Sequence, residues 1–464
     1  MDVTTALADA RPDVLWLDDP DRPGALEPLS GQVTTDLAVV GGGYTGLWTA
    51  LRAKERYPDL DVHLVEAGEC GWQASGRNGG FVAASLTHGF HNGMERWPAE
   101  METLDRLGKE NLDSIGDTVA GYGIDCNFEH TGELAVATTE HQLDDLVEGY
   151  QAMRAAGHDV ELWDAATLRA SVDSPTYQGA IYDRHGVAMV EPARLAWGLR
   201  QACLDLGVVI HEQTHVTDLV DDGRMVELTT PGGRLRARWV ALATNGFPPL
   251  LRRLRLMTVP VYDHVLATEP LSDARLASIG WSGRQGIGDS ANLFHYYRLT
   301  RDNRIVWGGY DAVYHFGSKI APELEQNERT HTTLARHFFE TFPQLDGVRF
   351  THRWGGVIDT CTRFSAFFGT AYAGRVAYAL GYTGLGVGAT RFGADVILDL
   401  LRDEDTERTR LAMVREKPLP FPPEPARAIG INLTRWSLER ADHRGGRRNL
   451  WLRSLDRMGL GFDS

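Results

Sequence analysis

The stretch DLAVVGGGYTGLWTALRAKERYPDLDVHLVEAG, residues 36–68, constrains this chain more than any other. The apolar run at 35–40 reads as a short buried strand. Gly41, Gly43 and Gly46 crowd the turn after it in the spacing G-x-G-x-x-G. Residues 44–57 follow helical spacing and stop at Pro58, and 62–66 is a second apolar run that closes on Glu66. This unit has the length that a right-handed crossover between parallel strands needs. Gly41 permits the tight turn, Gly43 lets the backbone approach a pyrophosphate, and Gly46 lets the helix pack close on the strand. The helix N-terminus offers free N–H groups and a partial positive charge to the phosphates. An acid at the end of the second strand accepts hydrogen bonds from ribose hydroxyls and repels a 2′-phosphate. Taken together, and not from the glycines alone, these features predict a dinucleotide site that disfavours NADP.

Strands alternate with helices in three separated blocks, near 35–80, 180–246 and 350–400. Helices are expected at 100–119, 141–155 and 191–208, with a long one at 323–342. Runs at 259–268, 294–300 and 305–309 are rich in β-branched and aromatic residues and predict a separate sheet. The fold class that follows is α/β plus β, nested rather than in series. A nucleotide-binding domain is expected from 35–90, 180–250 and 350–402, and a second domain from 91–179 and 251–349. Residues 1–34 form a lead-in, and the Pro- and Arg-rich segment 403–464 a wrapping extension.

The net charge of -16, with acids spread along the chain, argues against nucleic acid or an anionic membrane surface as partner. Cys70, Cys126, Cys203 and Cys361 form no CxxC pair, so neither a metal site nor a disulfide framework is expected. Reduced thiols in a cytoplasmic protein are the expectation. The N-terminus lacks the basic and apolar regions of a secretory signal, and no run of about eighteen apolar residues predicts a membrane span.

The choice between FAD and NAD rests on three further segments. CGWQASGRNGG, at 70–80, is a glycine-rich loop; ALATNG, at 241–246, ends a buried strand; GYTGLGVG, at 381–388, puts Gly384 and Gly386 before a helix. A helix starting there aims its positive end at the pyrimidine side of a flavin and stabilises the reduced anion.

On these motifs the chain resembles the D-amino-acid oxidase superfamily of FAD-dependent amine oxidoreductases over about residues 30–402. Within it, the chain is most similar to γ-glutamylputrescine oxidase-like proteins, which share the GxYTG turn, the SGRNGG loop and a WGG…D segment like residues 354–359. The resemblance implies a Rossmann-like FAD-binding domain with an inserted antiparallel-sheet substrate domain. It implies Gly41, Gly43, Tyr44 and Thr45 against the pyrophosphate, and Glu66 and Ala67 at the adenosine ribose. Ser75, Gly76, Arg77, Asn78, Gly79 and Gly80 would follow the pyrophosphate and ribityl chain. Val216 would meet adenine, and Gly384, Gly386 and Val387 the pyrimidine end. Sarcosine oxidases attach their flavin to a cysteine in the segment matching 354–368. The matching place here is Gly355 or Gly356, not Cys361, so noncovalent FAD is expected.

The reaction implied is oxidation of a C–N bond to an imine, which water hydrolyses. Tyr296, His264 and Asp359 are the candidate substrate-pocket residues, although a packed aromatic, a core histidine and a turn cap are the simpler roles. Glycine and D-amino-acid oxidases clamp the substrate carboxylate with an arginine where this chain carries Ile358; Arg363 lies further on. Loss of that clamp points away from a plain α-amino acid. It points to a small amine, such as a γ-glutamyl-polyamine or other ω-amine; O2 or another electron acceptor would take the electrons. A D-amino-acid or aminophosphonate oxidase or dehydrogenase, and a non-catalytic or RNA-modifying flavoprotein, are the alternatives.

Overall fold

Two large sheets organise the chain, and each draws its strands from distant segments. The computed structural model describes residues 2–460; Met1 and 461–464, the outer ends of the expected lead-in and extension, lie outside the described residues. The first sheet has eight strands, and five parallel ones form its centre, in the order Val376–Leu380, Gly233–Leu242, Gly31–Val40, Val62–Val65 and Val209–His211. Along Gly31–Val40 the side chains alternate between two cores. Leu37 and Val39 pack with the helix Tyr44–Arg56, whereas Ala38 and Val40 face Val65, Val240 and Leu228. A parallel sheet covered on both faces requires this, which is why the inner half of the strand, 37–40, is apolar throughout. Burying each large aliphatic side chain contributes about 1.5–3 kcal/mol. The first strand begins earlier than its apolar run suggests, because Gln32, Val33 and Thr34 already pair with Arg234, Leu235 and Arg236.

The second sheet has nine strands. Its central run is Thr258–Thr268, Ile305–Gly309, His295–Leu299, Gly286–Asp289 and Glu133–Ala137, antiparallel except for the last pair. Two of its strands, Gly179–Asp183 and Phe350–Cys361, fall inside segments expected to build the nucleotide-binding domain. Their apolar pattern suits either sheet, and only the pairing partner decides. The helix expected at 323–342 is broken. Pro322–Glu325 forms a 3-10 turn, and Asn327 then caps Glu328–Thr341 by accepting the Thr330 N–H at 3.2 Å.

The segment after 402 is more than a wrapping. It folds into the helices Ala426–Asp442 and Leu450–Arg457. Asp442 docks the pair on the second sheet, accepting the N–H groups of Asn292 and Leu293 at 2.9 and 3.1 Å and the Asn292 side-chain amide at 2.6 Å. Among the described residues no helix is long and apolar enough to cross a membrane.

Candidate active site

The carboxyl ends of the parallel strands open into a cavity of about 1810 Å³ between the two sheets. This is where an open α/β sheet binds its ligand, and the volume exceeds the roughly 300–1,000 Å³ of a drug-sized site. A large cofactor and a second small molecule fit such a space.

At the nucleotide end the backbone is shaped by contacts that exclude side chains. Gly41 has φ +111°, and a Cβ there would lie 2.4 Å from the Ala243 carbonyl oxygen. A Cβ at Gly46 would meet the Gly41 oxygen at 1.8 Å, so the helix can pack on its strand only with glycine. Gly43, Tyr44 and Thr45, at the start of that helix, line the cavity. Glu66 and Ala67 line it as well. The Glu66 carboxylate also fastens the turn. It accepts the Gly42 N–H at 2.6 Å, the Gly68 N–H at 2.8 Å and the Trp72 indole at 2.9 Å. Val216 lines the same end.

The loop that follows is held rigid from both sides. Ser75 Oγ accepts the Tyr44 N–H at 2.9 Å, and Asn78 bonds back to Ala74 and forward to Gly80. The carbonyls of Asn78 and Arg77 accept the indoles of Trp16 and Trp354, each at 2.9 Å. Ser75, Arg77, Asn78, Gly79 and Gly80 line the cavity, but Gly76 does not; a Cβ there would strike the Gly71 oxygen at 2.1 Å, so Gly76 is a packing glycine. The Arg77 guanidinium is not free for a phosphate. It donates to the Trp72 and Gly355 carbonyls and pairs with Glu325 at 2.5 Å, tying the loop to the second sheet. Gly384, Gly386 and Val387 line the far end, where the helix Gly386–Leu401 begins. Of the residues assigned from sequence to the cofactor, all but Gly76 meet in this one cavity, and the donor set, the glycine cradle and the volume fit FAD.

The second sheet supplies the opposite wall. Tyr296 lines it, and a Cβ on Gly79 would lie 2.7 Å from its ring, so the cofactor loop rests against this tyrosine. Its hydroxyl donates to Asp263 Oδ2. Burial pushes the Asp263 carboxyl up to about 6 and the Tyr296 phenol well above its usual range. His264, the neighbour singled out from sequence, is on the other face. Its ring packs on Tyr262 and His331, with centroids 6.5 and 5.3 Å away, and burial lowers it to about 4. Strand alternation sends Val261, Asp263 and Val265 into the cavity and turns His264 away.

Asp359 lines the cavity but is spent on the fold. It accepts the Gly381 N–H, and the Asn245 amide nitrogen, turned toward it, donates at 2.8 and 3.1 Å. Burial lifts its carboxyl to about 7. Ile358 lines the cavity. Neither nearby arginine replaces the missing clamp. Arg363 donates to the carbonyls of Ser365, Ala366, Met413 and Glu416, and Arg298 to those of Val190 and Leu299. Cys361 is fully buried, with its thiol on the Ser365 carbonyl at 3.2 Å, away from the cavity lining.

Sequence reasoning missed Asp263 and Glu133, each a lone acid in an otherwise apolar strand facing the cavity. It also missed the roof. Ile431, Thr434, Arg435 and Leu438 of the first C-terminal helix, and Trp451 and Leu455 of the second, line the cavity. Their helical spacing was the available signal.

The family described as FAD dependent oxidoreductase matches residues 36–400. The gamma-glutamylputrescine oxidoreductase of Escherichia coli (strain K12) is 32% identical over 409 residues, covering 85% of this chain and 90% of that one. Among solved structures, glycine oxidase from Geobacillus kaustophilus superposes with a TM-score of 0.69 at 19% identity, covering 81% of this chain and 96% of that one. Iminodiacetate oxidase from Chelativorans sp. BNC1 gives 0.67 at 17% identity, over 82% and 98%.

Proposed function

The chain belongs to the family of FAD-dependent oxidoreductases, and from that premise we propose that it oxidises the C–N bond of a small amine, with O2 as acceptor. The carrying observation is that Ile358 and Asp263 both line the cavity: an apolar side chain where amino-acid oxidases keep a clamp, and a carboxylate with no cation beside it among the described residues. An α-carboxylate next to the reacting carbon would find no free guanidinium there. An ammonium group would find Asp263.

When bound, FAD would supply the acceptor for a hydride from the carbon that carries the nitrogen. The glycine turn, Glu66, Ser75, Asn78, Gly79, Gly80 and residues 384–387 would hold it in place. Asp263, ionised above about 6, attracts the protonated amine, and the Tyr296 hydroxyl fixes its Oδ2. The apolar wall of Val261, Val265, Ile358 and Leu293 excludes water and favours the neutral amine that the reaction needs. A carboxylate several bonds from the reacting carbon need not lie against Ile358, so a γ-glutamyl amine stays within the class. A cytoplasmic setting is part of this proposal; the four cysteines are free and buried.

Anaerobic mixing of the yellow holoenzyme with panels of amines and D-amino acids tests the reading. Bleaching of the flavin band by ω-amines, with glycine and D-alanine inert, is the expected result. The reverse pattern would replace it with the amino-acid alternative.

A further inference from the structure

One charged group of the cavity has no role in this scheme. Glu133 begins the strand Glu133–Ala137, and its carboxylate reaches over Gly288; a Cβ on that glycine would lie 3.2 Å from Glu133 Oε1. Burial and the charge of Asp183, its partner in register, both push the Glu133 carboxyl up, to about 7, and among the described residues no cation or donor opposes them. Asp183 itself is occupied by the N–H groups of His185 and Gly186. The other acids of this wall differ. Asp311 has Arg435 and the Thr330 hydroxyl, and Asp359 has the Gly381 N–H.

The sheet places Glu133 relative to the proposed reaction site. Gly288 pairs with Tyr296, and Tyr296 with Gly308, over which its ring lies; a Cβ on Gly308 would be 2.6 Å from the Tyr296 hydroxyl. The two glycines leave room on one face for a carboxylate at one end and the Tyr296–Asp263 pair at the other. Two strand spacings, about 10 Å, separate them. Glu133 is half-buried and faces the cavity, and no cation stands beside it among the described residues. A ligand in the cavity that carries a cation at this end would meet that carboxylate.

We propose that Glu133 is a second cation subsite, and that the preferred substrate carries a second protonated nitrogen beyond the reacting amine, as in a short α,ω-diamine or the diamine end of a polyamine. A four-carbon chain with a charge-assisted hydrogen bond of about 2.8 Å at each end covers the span. The amine at Tyr296 and Asp263 reacts, and the other is held. This inference rests on the amine reading above, and its test separates the two.

The holoenzyme is titrated anaerobically with 1,4-diaminobutane, N-acetyl-1,4-diaminobutane and butylamine. Perturbation of the flavin visible band reports binding, and bleaching reports turnover. In the wild type, diaminobutane is expected to bind at least tenfold tighter than the other two. In Glu133→Gln that ratio falls to near one, and Glu133→Asp keeps part of it. The melting temperature of Glu133→Gln should not fall, since the amide removes an unpaired charge; should it fall, Glu133→Asp carries the comparison. Equal wild-type affinities, or a preference that survives the substitutions, overturns the subsite. Tight diaminobutane binding lost in Glu133→Gln, with no bleaching by any amine, upholds the subsite and overturns amine oxidation. No binding by any of the three overturns both.

Discussion

The Tyr296 hydroxyl donates to Oδ2 of Asp263 at 2.5 Å, on the wall that faces the glycine loop of the cofactor end. Burial raises this carboxyl to about 6, so it is protonated below that pH and ionised above it. Only the ionised form holds an ammonium. The rate of flavin reduction at low amine concentration should therefore rise as pH climbs through about 6. Asp263→Asn should lose that acidic limb and lower kcat/KM about 10²-fold, in the range of one charge-assisted contact. A limb that persists in the variant would assign the titration elsewhere.

Flavin should leave the polypeptide as free FAD on acid or heat denaturation. Cys361 is buried on the Ser365 carbonyl, and Gly355 and Gly356 offer no nucleophile. Fluorescence that stays with the protein band on a denaturing gel would contradict this.

Glu66→Ala should weaken FAD binding by more than a ribose contact alone. The substitution removes an acceptor worth about 1.5–3 kcal/mol, and it also leaves the buried Gly42 N–H without a partner. The expected loss is about 10²-fold in affinity, read by FAD retention on dialysis. Undiminished retention would remove Glu66 from the site.

Ile358→Arg should improve turnover of small D-amino acids if the guanidinium is accommodated. It should also hurt the native amine, by charge repulsion and overpacking. Steady-state kinetics on both substrate classes decides, and efficient wild-type oxidation of D-alanine would show that a clamp exists already.

Asp442→Ala should raise KM for the amine several-fold while FAD affinity holds. The carboxylate anchors the first C-terminal helix to Asn292 and Leu293, far along the chain from the glycine turn. Equal losses in both quantities would show instead that the helix supports the whole fold.

The residues of the candidate cofactor end were legible in the sequence as one cavity lining because their constraints are local. Gly41, Gly46 and Glu66 act within thirty residues, and each has a steric or charge reason that a linear pattern displays. The substrate end was not, because it is assembled across strands. Whether Asp263 or His264 faces the cavity depends on the phase of an alternating strand, and His264 drew attention by residue type alone. Asp359 looked free because its partners, Gly381 and Asn245, lie in other strand ends. Glu133 needed two glycines on neighbouring strands to reveal its space.

The cavity's cofactor half is built from residues inside the span shared with the family, and its roof from helices that begin after residue 400. Evolution can therefore rewrite one without disturbing the other. Insertions, deletions or wholesale exchange of the last segment would alter which amines enter while leaving the redox machinery as it stands. A laboratory library confined to the cavity-facing positions of those two helices would search substrate range at little risk to flavin loading.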